Sequence, residues 1–319
     1  MRIWRNIAAI SLMVLVPVVP ASAGAEPDRL TPSDAEMVVQ INIRSLLQTP
    51  LVKKHALDSL KALLKRNDEV RQLLNAAGLD PLKDIDTISL SASGMPVAGG
   101  KVKMLVVVRG SFSPEKARAA SEEYTKKHPG RLKSIKNGDL PMWEIHSDNK
   151  SYYAAFADNN TLVMTMMKEE TAAVVERVGQ TPQTPSAPMQ AALAHLKGGE
   201  NIWMAMVATD EIKQLLKSDD QAKDFAAAVQ SITGALELND DAQFGLVIHT
   251  NSPQAAAQIK GKLDELMPLL AFLGAGKDKS GQVAKDVIDS VKLKTEKNDV
   301  SVRLRITDAQ IEKAGKKKQ

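Results

Sequence analysis

The chain has 319 residues, no cysteine, 3% aromatic residues and a formal net charge of +4 at pH 7. Without cysteine it has no disulfides, no thiol nucleophile and no thiolate-bound metal, and it cannot carry the lipid of a bacterial lipoprotein. The weak net charge and the scarcity of aromatic side chains count against nucleic-acid, sugar-binding and base-stacking surfaces.

The amino-terminal segment has the three parts of a secretory signal. Arg2 and Arg5 give a positive start, an apolar stretch extends from Ile7 to Val19, and small residues follow that permit cleavage after Ala23 or Ala25. The apolar stretch is shorter than the roughly 18 to 20 residues that span a bilayer, and two prolines interrupt it. We therefore predict a signal peptide over the first 23 residues, and a periplasmic or secreted protein without a stable membrane anchor. Its removal, with Arg2 and Arg5, lowers the net charge from +4 to +2.

The length of the mature chain, roughly 295 residues, predicts about two domains. The best internal boundary is the Pro/Thr/Ser-rich stretch "QTPQTPSAP". We predict a first lobe over residues 30–179 and a second lobe over residues 199–314. A connection with a short helix (residues 180–198) joins them, and a basic tail (residues 315–319) follows the second lobe.

The first lobe mixes strands with helices. "AEMVVQINI" (residues 35–43) is typical of a buried strand, and the apolar spacing after it predicts one or two amphipathic helices, broken near Pro50 and closed by Gly78. "KVKMLVVVRG" (residues 101–110) is the strongest strand pattern, and a helix begins after it at Ser113-Pro114. Four short strands and a helix complete the lobe, in "RLKSIKN", "LPMWEIHS", "SYYAAFAD", "TLVMTMM" and "KEETAAVVERVG".

Three carboxylates, at Asp80, Asp84 and Asp86, stand just ahead of an apolar run in "GLDPLKDIDTISLSA". A calcium loop of the EF-hand type needs oxygen ligands at alternate positions, a central glycine and a closing glutamate. Counted from Asp80, apolar residues occupy two of the ligand positions, and Ile85 stands where the glycine is needed. The spacing therefore favours a turn between a helix and a strand over a calcium site.

The second half repeats the plan of the first. "ENIWMAMVATDEIKQLL" corresponds to "AEMVVQINIRSLLQTPL", and "DAQFGLVIHTNSPQ" corresponds to "KVKMLVVVRGSFSPE". "VKLKTEKNDVSVRLRITDAQ" likewise matches "YYAAFADNNTLVMTMMKEE" as a hairpin followed by a helix. Three correspondences in the same order favour an internal duplication. We predict the α+β class with two related lobes, each an antiparallel sheet with flanking amphipathic helices, and leave open whether the two sheets are continuous.

The export signal, together with "AEMVVQINI", "GLDPLKDIDTISL" and "DNNTLVMT", resembles a loose group of exported, functionally uncharacterised bacterial proteins of a type found in planctomycetes. The resemblance extends over most of the mature chain and rests on structural motifs. It implies a duplicated α+β unit, and it implies no activity, cofactor or catalytic residue.

Motifs that signal catalysis or metal binding are incomplete. The five histidines form no pair at helical ligand spacing, so only long-range convergence, for example of His146 with His249, would join them. "SASGM" does not fit the elbow of a serine nucleophile, and "GAGKDKSG" lacks the spacing of a phosphate loop. The acidic pairs are typical of helix starts, turns or solvated faces: Asp219-Asp220, Asp240-Asp241 and Glu122-Glu123. We predict no catalytic, cofactor-binding or metal-ligating residue, and no cofactor.

The methionines allow one chemical alternative. Met164 and Met166 share one strand face, and Met204 and Met206 share another. Thioethers bind Cu(I) in exported proteins, although methionine on a strand more often fills a core. Core packing is the favoured interpretation.

The leading functional prediction is an exported, non-enzymatic interaction or structural module of the periplasm or cell envelope, with an unknown protein or envelope partner. It would act through a sheet edge or through the groove between the lobes. The first alternative is a hydrolase or small-ligand binder whose site lies in the groove between the lobes. The second alternative is methionine-based copper handling.

Overall fold

A computed structural model of the chain describes residues 24–66, 68–94, 102–128, 130–147, 150–217, 225–274 and 286–315. Its strands are β1 (Met37–Asn42), β2 (Ile85–Ser93), β3 (Lys103–Gly110), β4 (Leu132–Asn137), β5 (Leu140–Ser147), β6 (Lys150–Asp158), β7 (Thr161–Thr165), β8 (Ile202–Val207), β9 (Val229–Leu238), β10 (Ala242–Thr250), β11 (Lys292–Glu296) and β12 (Asp299–Ile306). Its helices are α1 (Ile43–Gln48), α2 (Pro50–His55), α3 (Leu57–Arg66), α4 (Asp68–Ala77), α5 (Pro81–Asp84), α6 (Pro114–Lys127), α7 (Lys168–Glu176), α8 (Ala187–Leu193), α9 (Asp210–Lys217), α10 (Pro253–Gly274) and α11 (Asp308–Gly315). The predicted signal peptide, Asp219-Asp220, most of "GAGKDKSG" and the basic tail after Gly315 lie outside the described residues.

The 12 strands form one antiparallel sheet in the order β11-β12-β10-β9-β8-β1-β2-β3-β7-β6-β5-β4. The predicted α+β class and antiparallel pairing are confirmed. The strands of both halves belong to a single continuous sheet instead of two, because β1 pairs with β8, with Met37 opposite Met206 and Ile41 opposite Ile202. The strands predicted in "AEMVVQINI" and in the four short segments of the first half are also confirmed.

The order of strands is the same on both sides of the β1–β8 junction. Outward from it, the first half runs β1, β2, β3, β7, β6, and the second half runs β8, β9, β10, β12, β11; β5 and β4 extend the first half alone. In each half the third strand leads into a long helix, α6 after β3 and α10 after β10. The first strand of each half therefore lies in the middle of the sheet, and later strands form both edges.

The helical region after β1 has more breaks than the sequence indicated. In place of one or two helices there are α1, α2, α3 and α4. Pro50 begins α2, and the hydroxyl of Thr49 accepts a hydrogen bond from the backbone N–H of Val52 at 3.3 Å. Gly78 follows α4 with φ +65°, the left-handed conformation that favours glycine, as predicted. The short helices gather at the end of the sheet where β1 ends and β2 begins.

One face of the sheet, here called the α8 face, is covered by α7, α8 and the segment before β1. Val38 and Ala205 lie opposite each other on adjacent strands and are fully buried, at 0% exposure. Met189 and Ala192 of α8 pack in the same cluster. Removing these apolar side chains from water stabilises the fold by roughly 25 cal/mol per Å² of apolar surface. The core of this face therefore lies directly over the junction of the two halves.

The opposite face, here called the α10 face, is covered by α6 over the first half and by α9 and α10 over the second. Ile259 of α10 packs with the buried Val300 of β12. On the other side, the indole N–H of Trp143 donates a hydrogen bond to Ser121 Oγ at 2.6 Å and fixes α6 on β5. Between these helices, Val39 of β1 is only half-buried. On the α10 face, the side chains are therefore more completely buried toward the two edges of the sheet than over the β1–β8 junction.

The segment before β1 is fastened to the α8 face. Ala25 is 5% exposed, and its backbone N–H donates to the carbonyl of Leu193 at 3.1 Å. Asp28 accepts two hydrogen bonds from the guanidinium of Arg109, at 2.8 Å from Nε and 3.0 Å from Nη2, and Arg109 Nη1 donates to Thr161 Oγ1 at 2.6 Å. The Asp28 carboxylate raises the pKa of Arg109 above its ordinary value. The segment is thus part of the folded unit from Ala25 onward.

Helix α11 is held against α2 by ion pairs. Lys54 Nζ lies 2.6 Å from Asp308 Oδ2, and His55 Nε2 lies 2.5 Å from Asp308 Oδ1. The hydrogen bonds from Lys54 and then from His55 hold the pKa of the Asp308 carboxyl below its ordinary value of 3.8. This link joins the first helices of the chain to its carboxyl-terminal helix.

Removal of Gly24 and Ala25 should destabilise the fold. A chain that begins at Glu26, as after cleavage at Ala25, loses a buried methyl group and a backbone hydrogen bond. Together these contribute about 1–2 kcal/mol to the free energy of unfolding. Urea unfolding of chains that begin at Gly24 and at Glu26 measures the difference, and equal midpoints would contradict the packing of Ala25.

Asp28→Asn should lower the free energy of unfolding by about 2–3 kcal/mol, because it leaves the half-buried guanidinium of Arg109 without its counter-charge. Asp34→Asn is the matched control. The Asp34 carboxylate is 60% exposed and lies 3.9 Å from Lys103, and exposed ion pairs of this kind contribute little. Chemical denaturation of both variants provides the comparison; losses of equal size would refute a special role for Asp28.

The stability of the fold should decrease in acid in a way that depends on Asp308. Because the folded-state pKa of this carboxyl is depressed, its contribution is complete above the unfolded-state pKa and is lost as the pH falls through the folded-state pKa. Asp308→Asn should therefore flatten the loss of unfolding free energy below about pH 4, whereas Asp240→Asn, in an exposed turn, should not. Urea unfolding at a series of pH values measures the slope. An unchanged slope in Asp308→Asn would rule out the link.

Candidate functional site

An open-sided pocket of about 980 Å³ lies among the short helices of the first half. Its walls come from α1, α3, α4 and α5, and Ile85 at the start of β2 closes it toward the sheet. This volume is at the upper end of the range of small-molecule binding sites. The pocket is therefore the candidate site.

One stripe of each helix forms the pocket wall. In α3, Leu57, Lys61 and Leu64 line the pocket at spacings of four and three, which places them on the same side of the helix. In α4, Arg71 and Leu74 line it at a spacing of three. The three leucines are half-buried. The amphipathic pattern seen in the sequence thus leaves apolar surface facing a cavity instead of a closed core.

The turn around Asp80 closes one end of the pocket. Asp80 Oδ1 accepts a hydrogen bond from the backbone N–H of Leu82 at 3.1 Å and so caps α5. Asp84 Oδ2 accepts one from the backbone N–H of Asp80 at 2.6 Å, and Asp86 forms an ion pair with Arg44. The three carboxylates therefore have separate local partners, and the predicted turn between a helix and a strand is confirmed.

Cations surround the leucine wall. Lys83 Nζ lies 2.8 Å from Asp80, and Lys61 Nζ lies 3.8 Å from Asp58. The side chains of Arg44, Lys61 and Lys83 are 60%, 51% and 78% exposed. Exposed ion pairs are typically worth less than about 1 kcal/mol, so these cations can exchange their partners for an anionic ligand at little cost. The residues that line the pocket include one carboxylate, Asp80, and four cationic side chains: Arg44, Lys61, Arg71 and Lys83.

The ion pair of Lys83 with Asp80 keeps both groups charged. The hydrogen bond from Lys83 lowers the pKa of Asp80, and the same bond raises the pKa of Lys83. General acid–base catalysis instead needs a group whose pKa is brought near the working pH. This part of the pocket therefore suits charge recognition more than proton transfer.

The pocket does not lie in the position that the sequence suggested for a ligand site. A groove between two lobes was expected, but the halves meet at β1 and β8 through continuous backbone pairing. The pocket belongs to the helices of the first half alone. Smaller cavities lie elsewhere among the described residues. Their volumes are about 380 Å³ beneath α7, about 460 Å³ beside the residues that follow α8, and about 450 Å³ between α6 and the β4–β5 hairpin.

The histidines considered together from the sequence lie far apart. His146 is on β5 and His249 is on β10, and seven strands separate β5 from β10 in the sheet. The ring of His249 instead stacks on that of His195, with 3.8 Å between ring centroids. No spacing pattern in the sequence could indicate this contact, because one residue follows a helix and the other ends a strand.

The methionines also fall on separated strands. Met164 lies on β7 and Met206 on β8, and three strands lie between β7 and β8. Met164 packs with the cluster around Trp143, and Met206 packs with the cluster around Ile212. These contacts are those of core side chains.

In each acidic pair that the structure describes, one carboxylate has a structural partner. On the exposed side of α6, Glu123 accepts a hydrogen bond from Lys127 at 2.8 Å. Asp241 accepts hydrogen bonds from Arg305 and, at 3.0 Å, from the backbone N–H of Asp308. Both carboxylates thus support local structure.

The sequence contains a signal for the pocket that could have been recognised. Between Leu57 and Lys83, leucines recur at helical spacing and cations flank them. In a continuous helix such a stripe indicates a face that packs on the core. In the fold, α3 and α4 are separate helices, and their stripes line one pocket instead of a closed core.

Within the described residues, no helix combines the length and the apolar character needed to cross a bilayer. No family model matches the sequence, and no curated protein matches it significantly, so the resemblance to exported planctomycete-type proteins stays a prediction.

Among solved structures, the chain is similar to TP0453 of Treponema pallidum in three crystal forms. Form I gives a TM-score of 0.45 and 8% identity, over 92% of this chain and 98% of that chain. Form IV gives a TM-score of 0.47 and 10% identity, over 92% of this chain and 97% of that chain. Form III gives a TM-score of 0.49 and 7% identity, over 91% of this chain and 97% of that chain. Similarity at this level carries no information about what the chain binds.

Proposed function

We propose that the chain is an exported, non-catalytic binding module of the periplasm or cell envelope, and that it binds an amphiphile with an acidic head group. The observation that carries the proposal is the pocket among α1, α3, α4 and α5, which combines a half-buried leucine wall with four cations. Burial of an alkyl chain against the leucines is favourable by roughly 25 cal/mol per Å² of apolar surface. The cations select a negative head group by charge.

A sheet edge is less suited to docking a partner. The edge strand β4 carries exposed Lys133 and Lys136, and the edge strand β11 carries exposed Lys292 and Lys294. Lysines on an edge strand oppose pairing with a further strand. Recognition through the pocket is therefore favoured over recognition through an edge.

Of the alternatives drawn from the sequence, small-ligand binding is kept and moved from an inter-lobe groove to the helical pocket. Catalysis receives less support, because the hydrogen bond between Lys83 and Asp80 keeps both groups charged. Copper handling is not developed further, since Met164 and Met206 pack in different hydrophobic clusters.

We also infer that the halves are two related lobes, residues 30–179 and 199–314, derived from one unit. The equal strand order outward from the β1–β8 junction supports this inference. The long helix after the third strand of each half supports it as well. In this arrangement the amphiphile pocket is an addition to the first lobe, formed by the helices between β1 and β2.

A fluorescent fatty acid, dansyl-undecanoic acid, should bind the mature chain with one site and be displaced by lysophosphatidylglycerol. The uncharged monoacylglycerol of equal chain length should displace it at least tenfold less well, because it lacks the negative head. Leu74→Glu should weaken binding at least tenfold, since it places a like charge in the apolar wall. Fluorescence titration measures all three effects.

Phe244→Glu is the matched control for Leu74→Glu. Phe244 is also an apolar side chain in contact with water, 40% exposed, but it lies on β10 outside the helical pocket. Its replacement should leave the affinity for the fatty acid unchanged. Absence of binding to the wild-type chain, or equal binding by Leu74→Glu and wild type, would refute the proposal.

A further inference from the structure

Two histidines and one aspartate converge on the second half of the sheet. Ligand atoms of His195, His249 and Asp299, one from each residue, all lie within 4.8 Å of one another. The pairing of β10 with β12 places His249 directly opposite Asp299. His195 follows α8, which the buried Met189 and Leu193 hold against the sheet. Strand register and core packing therefore bring together three side chains of the types that bind metal ions.

Hydrogen bonds orient the His249 ring. Its Nδ1 lies 2.9 Å from Asp299 Oδ1, and its Nε2 lies 3.1 Å from the hydroxyl of Thr233. His249 and Thr233 are only 4% and 1% exposed. In the tautomer with its proton on Nδ1, the His249 ring donates to the Asp299 carboxylate. In the tautomer with its proton on Nε2, the ring donates to the Thr233 hydroxyl instead. Nδ1 then has a free lone pair, and a cation can bind between Nδ1 and Asp299. The buried hydroxyl is thus an outer partner of the kind that orients metal-binding imidazoles.

His195 approaches the same carboxylate from the solvent side. Its Nδ1 lies 3.8 Å from Asp299 Oδ2, and the side chains of His195 and Asp299 are 42% and 32% exposed. An ion can therefore enter from water. Neighbouring ligand atoms of a tetrahedral zinc ion lie about 3.3–3.5 Å apart. Rotation of the exposed His195 ring can bring its nitrogen to that distance from Asp299 and so supply the third ligand.

We propose that His195, His249 and Asp299 form a binding site for a late first-row divalent metal ion, with Zn²⁺ as the representative ion. Two imidazoles and one carboxylate suit such ions, whereas Ca²⁺ and Mg²⁺ prefer oxygen ligands alone. Three protein ligands leave one coordination position for water. The site shares no residue with the amphiphile pocket, so either proposal can fail alone.

Zinc titration of the untagged mature chain tests the proposal; a polyhistidine tag is left out because it would bind the ion itself. Competition with a chromophoric chelator at about pH 7 should show one tightly bound ion per chain. His195→Ala and Asp299→Asn should each weaken binding at least tenfold. His195 is exposed, so its replacement removes a ligand without opening the core. Co²⁺ bound in place of Zn²⁺ should give the visible absorption bands of a tetrahedral site, and both variants should lose them.

His146→Ala is the matched control. His146 is also an exposed histidine beside a carboxylate, with its Nε2 3.7 Å from Glu144, but it lies on β5. This variant should bind zinc like the wild type. No zinc uptake by the wild-type chain, or wild-type affinity in both His195→Ala and Asp299→Asn, would overturn the proposal. A loss in His146→Ala as large as that in His195→Ala would overturn it as well.

Discussion

The backbone pairing of β1 with β8 is the constraint on which the rest of the structure depends. Each of these strands also pairs with a strand of its own half, β1 with β2 and β8 with β9, so their backbone groups are used on both sides. Val38 and Ala205 meet across the junction at 0% exposure. Because the junction is a hydrogen-bonded ladder over a buried apolar core, the two halves cannot open into a cleft without losing both. The two proposed ligand sites therefore lie over a face and at an end of the sheet, and not in a cleft between the halves.

The short helices between β1 and β2 illustrate this consequence. Isolated helices of fewer than about 12 residues are marginal in water, so α1 to α5 depend on contacts with the remainder of the fold. Asp86 at the start of β2 pairs with Arg44, and Asp308 of α11 pairs with Lys54. The contacts of Asp308 with Lys54 and His55 link α2 to α11, while the leucines that line the pocket stay half-buried. A pocket with an incompletely packed apolar wall is suited to take up an apolar chain.

Strand register has the corresponding role for the histidine cluster. His249 and Asp299 are directly opposed, and Thr233 lies on the next strand of the same face. A slip of one residue would turn either side chain to the α10 face and break the cluster. The core that fixes α8 also fixes where His195 can reach. The proposed amphiphile pocket and the proposed metal site thus use different helices and different regions of one sheet.

The sequence by itself determined the local structure. Apolar runs bounded by turn residues located β1, β3 and the strands from β4 to β7, and Pro50 and Gly78 marked helix boundaries because their backbone preferences act over a few residues. It also determined that cysteine chemistry is absent. Tertiary structure alone decided that the two halves share one sheet, since pairing of β1 with β8 joins segments separated by more than 150 residues. It likewise decided that His249 meets His195 and Asp299 and not His146, because such contacts follow from the order and register of strands, which no local pattern encodes.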